Sequence, residues 1–259
     1  MQRPLAIAST IGAIAVAGLV GIVALRPEAT PRSTEINVHV AASLTGVFTE
    51  LGESFMALHG EVNVRFNFGG STTLVQQIEQ GAPADMVALA DSNSIDRLVA
   101  SGLVERTDVV DLAYNRLAIL VERDNPLQIA SLNDLERKEV TVVLCDEAQP
   151  CGRYADELLE RSGLTVPVAG REANATAVVA RIANGEADAG IAYVTDGRSS
   201  KSAVDVVEIP EERNIRVNYP MVRISEPSST NDAVISEFFE FVSGPTGDRV
   251  LAEAGFVLP

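Results

Sequence analysis

Residues 36–58 read INVHVAASLTGVFTELGESFMAL. Ile36, Val38 and Val40 alternate with Asn37 and His39, the period of two that a half-buried strand shows. Small residues follow, Ala41-Ala42-Ser43, and from Thr45 the period lengthens. Val47, Leu51, Phe55 and Leu58 then fall on one face of a helix. The same passage from strand to helix recurs downstream. Residues 62–67 read as a strand and 72–80 as a helix closed by Gly81. Residues 86–90 read as a strand, and 92–100 as a helix ending at Gly102. Strands alternating with helices predict a mainly parallel sheet with helices on both faces.

The rhythm returns in the second half of the chain. Residues 140–144 form a short apolar strand, 152–162 a helix stopped at Gly163, 175–184 a helix stopped at Gly185, and 189–193 a buried strand. Two longer extended stretches, residues 114–121 and 216–225, frame this set and are expected to cross between lobes. Helices at 231–242 and 247–254 are expected to return to the first lobe. The predicted fold is α/β, with two Rossmann-like lobes, two crossing strands and a ligand cleft between the lobes. Residues 33–114 plus 223–259 form the expected first lobe, and 115–222 the second.

Composition narrows the chemistry. The 259 residues carry a formal net charge of −16, which disfavours a nucleic-acid partner because phosphate backbones need clustered Lys and Arg. Only Lys138, Lys201, His39 and His59 supply lysine and histidine, so acid–base and metal chemistry have few residues to use. No Gly-x-Ser-x-Gly elbow offers a serine nucleophile, and the chain is read as a non-enzyme. Residues 5–25 are uncharged and long enough to span a bilayer core as a helix. Residues 1–32 thus read either as a cleavable signal, with Ala15-Val16-Ala17 as its small-x-small site, or as an uncleaved membrane anchor. Either reading puts the rest of the chain outside the cytoplasmic membrane. In such a compartment Cys145 and Cys151 form a disulfide or remain two buried thiols.

Four segments place small hydrogen-bonding residues at helix starts: Ala42-Ser43-Leu44-Thr45, Gly69-Gly70-Ser71-Thr72-Thr73, Gln149-Pro150-Cys151-Gly152 and Ala173-Asn174-Ala175-Thr176. A helix N-terminus exposes unpaired N–H groups and partial positive charge, so it holds an anion without Lys or Arg. Taken singly each segment is an ordinary cap. Two of them fall in each lobe, at strand ends where open α/β sheets bind ligands.

The residues VAASLTGVFTELGESF from Val40, FGGSTTLVQQIEQGAPADMVALAD from Phe68, GIAYVTD from Gly190 and NYPMVRI from Asn218 resemble the molybdate-binding proteins of ABC importers, a two-lobed periplasmic-binding-protein class. The resemblance covers residues 36–256, and around 122–140 it rests on layout alone. It implies that Ser43 and Ser71 give hydroxyl and backbone N–H groups to an oxyanion. Cys151 and Ala175 would give backbone N–H groups, and Tyr193 its phenolic O–H. Cys151 departs from the small residue common there but keeps the backbone contact. Gly69-Gly70 departs from a serine-rich version and removes a neighbouring hydroxyl. No cofactor and no direct metal-ion ligand are implied, since molybdate or tungstate is the transported ligand. The partner implied is an ABC permease, with this chain a monomer. Sulfate or thiosulfate binding, or a ligand-binding sensor domain, are the alternatives. Asp85 and His39 are read as structural, His59 as a helix-end residue, and Arg153 and Arg171 as solvated surface arginines.

Overall fold

The structure, a computed structural model, describes residues 34–224 and 231–259. The signal or anchor expected for residues 1–32 lies outside the described residues. Among the described residues no helix is long and apolar enough to cross a membrane.

The first half runs β1 (Thr34–Ala41), α1 (Thr45–Leu58), β2 (Val62–Gly69), α2 (Ser71–Glu79), β3 (Met86–Ala88) and α3 (Ser92–Ala100). β1 pairs in parallel with both β2 and β3. β4 (Val110–Glu122) then leaves for the second half. That half holds β5 (Val142–Cys145), α4 (Pro150–Arg161), β6 (Val168–Glu172), α5 (Ala175–Ala183), β7 (Ala189–Tyr193), α6 (Val194–Ser199) and β8 (Val204–Glu208). β5 pairs in parallel with β6 and β7. The chain returns through β9 (Arg216–Arg223) and ends in α7 (Asp232–Ser243) and α8 (Pro245–Glu253). The strand order is β2-β1-β3-β9-β4-β7-β5-β6, with β8 also on β4. The α/β class is therefore as the alternating periods predict, and among the described residues every antiparallel strand pair involves β4 or β9.

β4 is the physical link between the two half-sheets. Its first part, Val110 to Arg116, pairs with β9, and its second part, Leu117 to Glu122, pairs with β7 and β8. Among the described residues β9 pairs only with β3 and the first part of β4, so the return crossing lies in the segment before Arg216. Pro220 has no N–H to give. It lies opposite Asp111, where the β4–β9 register shifts.

Helices cover both faces of the first half-sheet. On one face Leu74, Val75 and Ile78 of α2 and Ile95 and Leu98 of α3 pack on Val87 and Val222. On the other, α1, α7 and α8 pack on Ile36, Val38, Val40, Met86 and Ala88. The alternation of Met86, Val87 and Ala88 between the two cores follows the two-residue period of a strand. One expected core residue differs: Leu58 is 70% exposed. It ends α1, and Phe55 is covered instead by His59, Phe238 and Phe241, with ring centroids 4.2, 4.9 and 5.4 Å away.

Candidate functional site

The parallel strands point their carboxyl ends at one place. β1 runs into a short helical turn, Ala42–Leu44, that carries Ser43. Ser71 begins α2 directly after β2 and Gly70. Cys151 lies in the first turn of α4, with Pro150 where a proline suits a helix start. Ala175 begins α5, whose Asn174 cap accepts the Ala177 N–H at 2.9 Å. Tyr193 ends β7. These five residues line one cavity together with Ala41, Gly69, Gly70, Ala90 and Asn174. About 10 Å³ of it is open, room for roughly one water. Among the described residues no Asp or Glu lines it. Among the described residues no group of three or more His, Cys, Asp or Glu is placed to hold a metal ion.

Each hydroxyl at the cavity has a defined surrounding. The Ser71 Oγ is buried and accepts the Ala90 N–H at 2.9 Å, which leaves its own proton to give. The Ser43 Oγ is 2.9 Å from the Tyr219 hydroxyl. The Tyr193 hydroxyl is buried and has no hydrogen-bond partner among the described residues. Burial pushes the Tyr193 and Tyr219 phenols well above their ordinary range, so both keep their protons. The Ser71, Cys151 and Ala175 N–H groups, in the first turns of α2, α4 and α5, add donors that helix geometry leaves without an intrahelical partner. Cys145 and Cys151 are joined as a disulfide, which ties the end of β5 to the start of α4.

The two halves touch across the cavity. Thr72 Oγ1 donates to Ala148 O at 2.6 Å, Gln149 Nε2 donates to Thr73 Oγ1 at 2.8 Å, and Gln149 Oε1 accepts the Thr72 N–H at 3.2 Å. Gly70 permits this approach: a Cβ there would lie 2.2 Å from Gln149 Oε1 and 3.0 Å from Ala173 O. Arg153 is not the solvated arginine expected from the sequence. It forms an ion pair with Asp91, which is 1% exposed, and donates to Ala148 O at 2.7 Å. Asp91 needs the partner because a buried unpaired carboxylate is costly. It also caps α3 by accepting the Ser94 N–H. Arg171 pairs with Asp156 and donates to Cys145 O at 2.9 Å.

Asp85 accepts the Asn37 N–H at 2.7 Å, which ties β1 to the entrance of β3. His39 is buried with Nε2 3.1 Å from Pro83 O. Three buried polar residues behind the cavity were read only as parts of strands or of a matching motif: Asn115, Thr195 and Tyr219. Asn115 left one signal, a polar residue inside the apolar run of β4. Asp196, next to Thr195, is also buried. Its carboxyl is pushed up to about 7, by burial first, against the lowering effect of the Tyr193 N–H that it accepts.

Comparison with known proteins gives a consistent picture. A family model described as bacterial extracellular solute-binding protein matches residues 36–257. The molybdate-binding protein ModA of Mycobacterium tuberculosis is 34% identical over 254 residues, 96% of each chain. The substrate-binding domain of a molybdenum ABC transporter from Clostridium difficile is 27% identical, with TM-score 0.64 over 88% of this chain and 100% of that one. The periplasmic molybdate-binding protein of Azotobacter vinelandii superposes with TM-score 0.76 at 20% identity, over 86% of this chain and 99% of that one.

Proposed function

We propose a function from one premise: this chain belongs to the bacterial extracellular solute-binding protein family, whose model spans residues 36–257. It is the extracytoplasmic binding subunit of an ABC importer for molybdate, and it is not an enzyme. The relative that is 34% identical over 96% of both chains, itself a molybdate-binding protein, supports that ligand. Tungstate, equally tetrahedral and fully deprotonated, binds in the same way.

One observation carries the site reading: among the described residues the buried Tyr193 hydroxyl has no partner, and the cavity that Tyr193 lines has no carboxylate. The ligand contacts proposed are the Ser43 and Ser71 hydroxyls and backbone N–H groups, the Cys151 and Ala175 N–H groups, and the Tyr193 O–H. All are neutral donors. A fully deprotonated dianion accepts from every one, and such bonds are worth roughly 1.5–3 kcal/mol each. Enclosure between the halves excludes water and strengthens each bond. A second lobe beginning near residue 115 agrees with the change of partner along β4. The pairing of β9 supports ending that lobe before Arg216 rather than at 222. The chain acts as a monomer delivering its anion to a membrane permease, has no nucleic-acid partner, and is exported by residues 1–32, as a cleaved signal or a retained anchor.

Titration calorimetry of the purified protein with molybdate, tungstate, sulfate and phosphate tests this. Tight binding of the first two and weak binding of the others is expected. Equal affinity for sulfate would move the ligand, and no binding of any oxyanion by folded protein would remove the function.

A further inference from the structure

Behind Ser43 lies a buried chain of hydrogen bonds that never touches the cavity. Its far end is Asn115, on β4 and 3% exposed. The Asn115 Oδ1 accepts the Arg116 N–H at 2.8 Å. That contact fixes the amide, because the flipped amide would set its NH₂ against another donor. The Nδ2 group therefore faces Thr195 Oγ1 at 2.8 Å and the Tyr219 hydroxyl at 3.4 Å. Tyr219 is wholly buried. Its ring meets Tyr193 and Phe256 edge-on, with centroids 5.8 and 5.2 Å apart. Its hydroxyl has one proton and, among the described residues, two hydrogen-bond partners. The Asn115 side supplies a proton, so the Tyr219 proton goes to its other neighbour, Ser43 Oγ, at 2.9 Å.

We infer that Tyr219, oriented by Asn115, is a positioning residue that commits the Ser43 hydroxyl to donate into the cavity and so sets the site against protonated oxyanions. The inference rests on the oxyanion site proposed above. A serine hydroxyl has a single proton. With the Tyr219 O–H donated to it, Ser43 has its own proton left for the cavity and no reason to turn. Ser71 reaches the same state by another route, since its Oγ accepts the Ala90 N–H. Tyr193 reaches it because burial keeps the phenol protonated. Three hydroxyls from three elements thus face the anion as fixed donors. An anion that carries a proton brings a donor to a cavity of donors and leaves a buried group unsatisfied. Rotation of the Ser43 hydroxyl is the easiest relief from that conflict, and Tyr219 is what prevents it.

The test compares anions of nearly equal size that differ in protons. Near neutral pH phosphate keeps a proton and sulfate has none. Their Kd values are measured on the purified protein by displacement of molybdate, and the phosphate-to-sulfate ratio reads proton discrimination apart from cavity size. Tyr219→Phe keeps the ring and frees the Ser43 hydroxyl, and the ratio is expected to fall about tenfold. Asn115→Asp keeps the shape but puts an acceptor where a donor was. It draws the Tyr219 proton to itself and the Ser43 proton toward Tyr219, so the ratio falls at least as far. A thermal midpoint for each variant reports its folding. Equal weakening of all three anions by both variants, with the ratio unchanged, overturns the inference and assigns Tyr219 a packing role. Ser43→Ala separates the two levels: if it leaves molybdate affinity unchanged, the site reading fails and this inference falls with it. If it weakens molybdate while both ratios stay unchanged, only the relay is overturned.

Discussion

Tyr193→Phe removes one oxygen and leaves the ring, and its effects on stability and on binding have opposite signs. In the ligand-free protein the Tyr193 hydroxyl is buried without a partner among the described residues. An unsatisfied buried polar group costs about 1–3 kcal/mol. Taking the low end, deletion stabilises the free protein by about 1 kcal/mol, or about 2–4 °C in Tm for a chain of this size. In the complex proposed above the same hydroxyl donates to a dianion, a bond worth roughly 1.5–3 kcal/mol. Its loss raises the Kd for molybdate about 10- to 100-fold. Scanning calorimetry of the ligand-free protein and titration calorimetry with molybdate measure both. A lower Tm refutes the account of an orphaned hydroxyl. An unchanged Kd refutes its role as a ligand contact.

Gly70→Ala drives a Cβ against Gln149 Oε1 and the Ala173 carbonyl. Overpacking of about 1–3 kcal/mol falls on the contact between the halves that encloses the cavity, so molybdate Kd rises about 5-fold or more, and an unchanged Kd in titration would remove Gly70 from that enclosure. Asp196 has a native pKa raised to about 7. The folded protein therefore holds a proton that the unfolded chain has released, and stability falls as pH rises from about 4, levelling off above about 7 at a cost of about 4 kcal/mol. Asp196→Asn keeps an acceptor for the Tyr193 N–H and removes that cost, so its Tm should match the native protein near pH 4 and exceed it near pH 8; parallel Tm profiles would contradict this. Reducing the Cys145–Cys151 bridge opens a short loop. It should cost about 2 kcal/mol and weaken molybdate binding through Cys151, and a reductant that leaves both Tm and Kd unchanged would show the bridge to be dispensable.

The sequence by itself determined the elements whose causes are local. Apolar periods and glycine stops placed α1 at Thr45–Leu58 and α3 at Ser92–Ala100 with the bounds observed. They also put Ser43, Ser71, Cys151, Ala175 and Tyr193 at strand or helix ends, where the fold brings them to one cavity. It did not reveal β6, α6 or β8. β6 reads VAGRE, which has no apolar–polar alternation to mark a strand, although its exposure alternates once folded. α6 follows β7 with no intervening loop and is only six residues long. β8 gains its partner only from β4, more than eighty residues earlier in the chain.

Tertiary structure alone decided what depends on distant partners. Arg153 reads as a surface residue until folding places the buried Asp91 beside it. Tyr219 reads as one residue of a strand until it meets Ser43, 176 positions away, and Asn115, 104 away. Periodicity and capping act within a few residues, so they are written in the local sequence. Burial and the direction of a hydroxyl proton are set by whichever groups the completed fold brings within about 3 Å, and no local pattern encodes which groups those are.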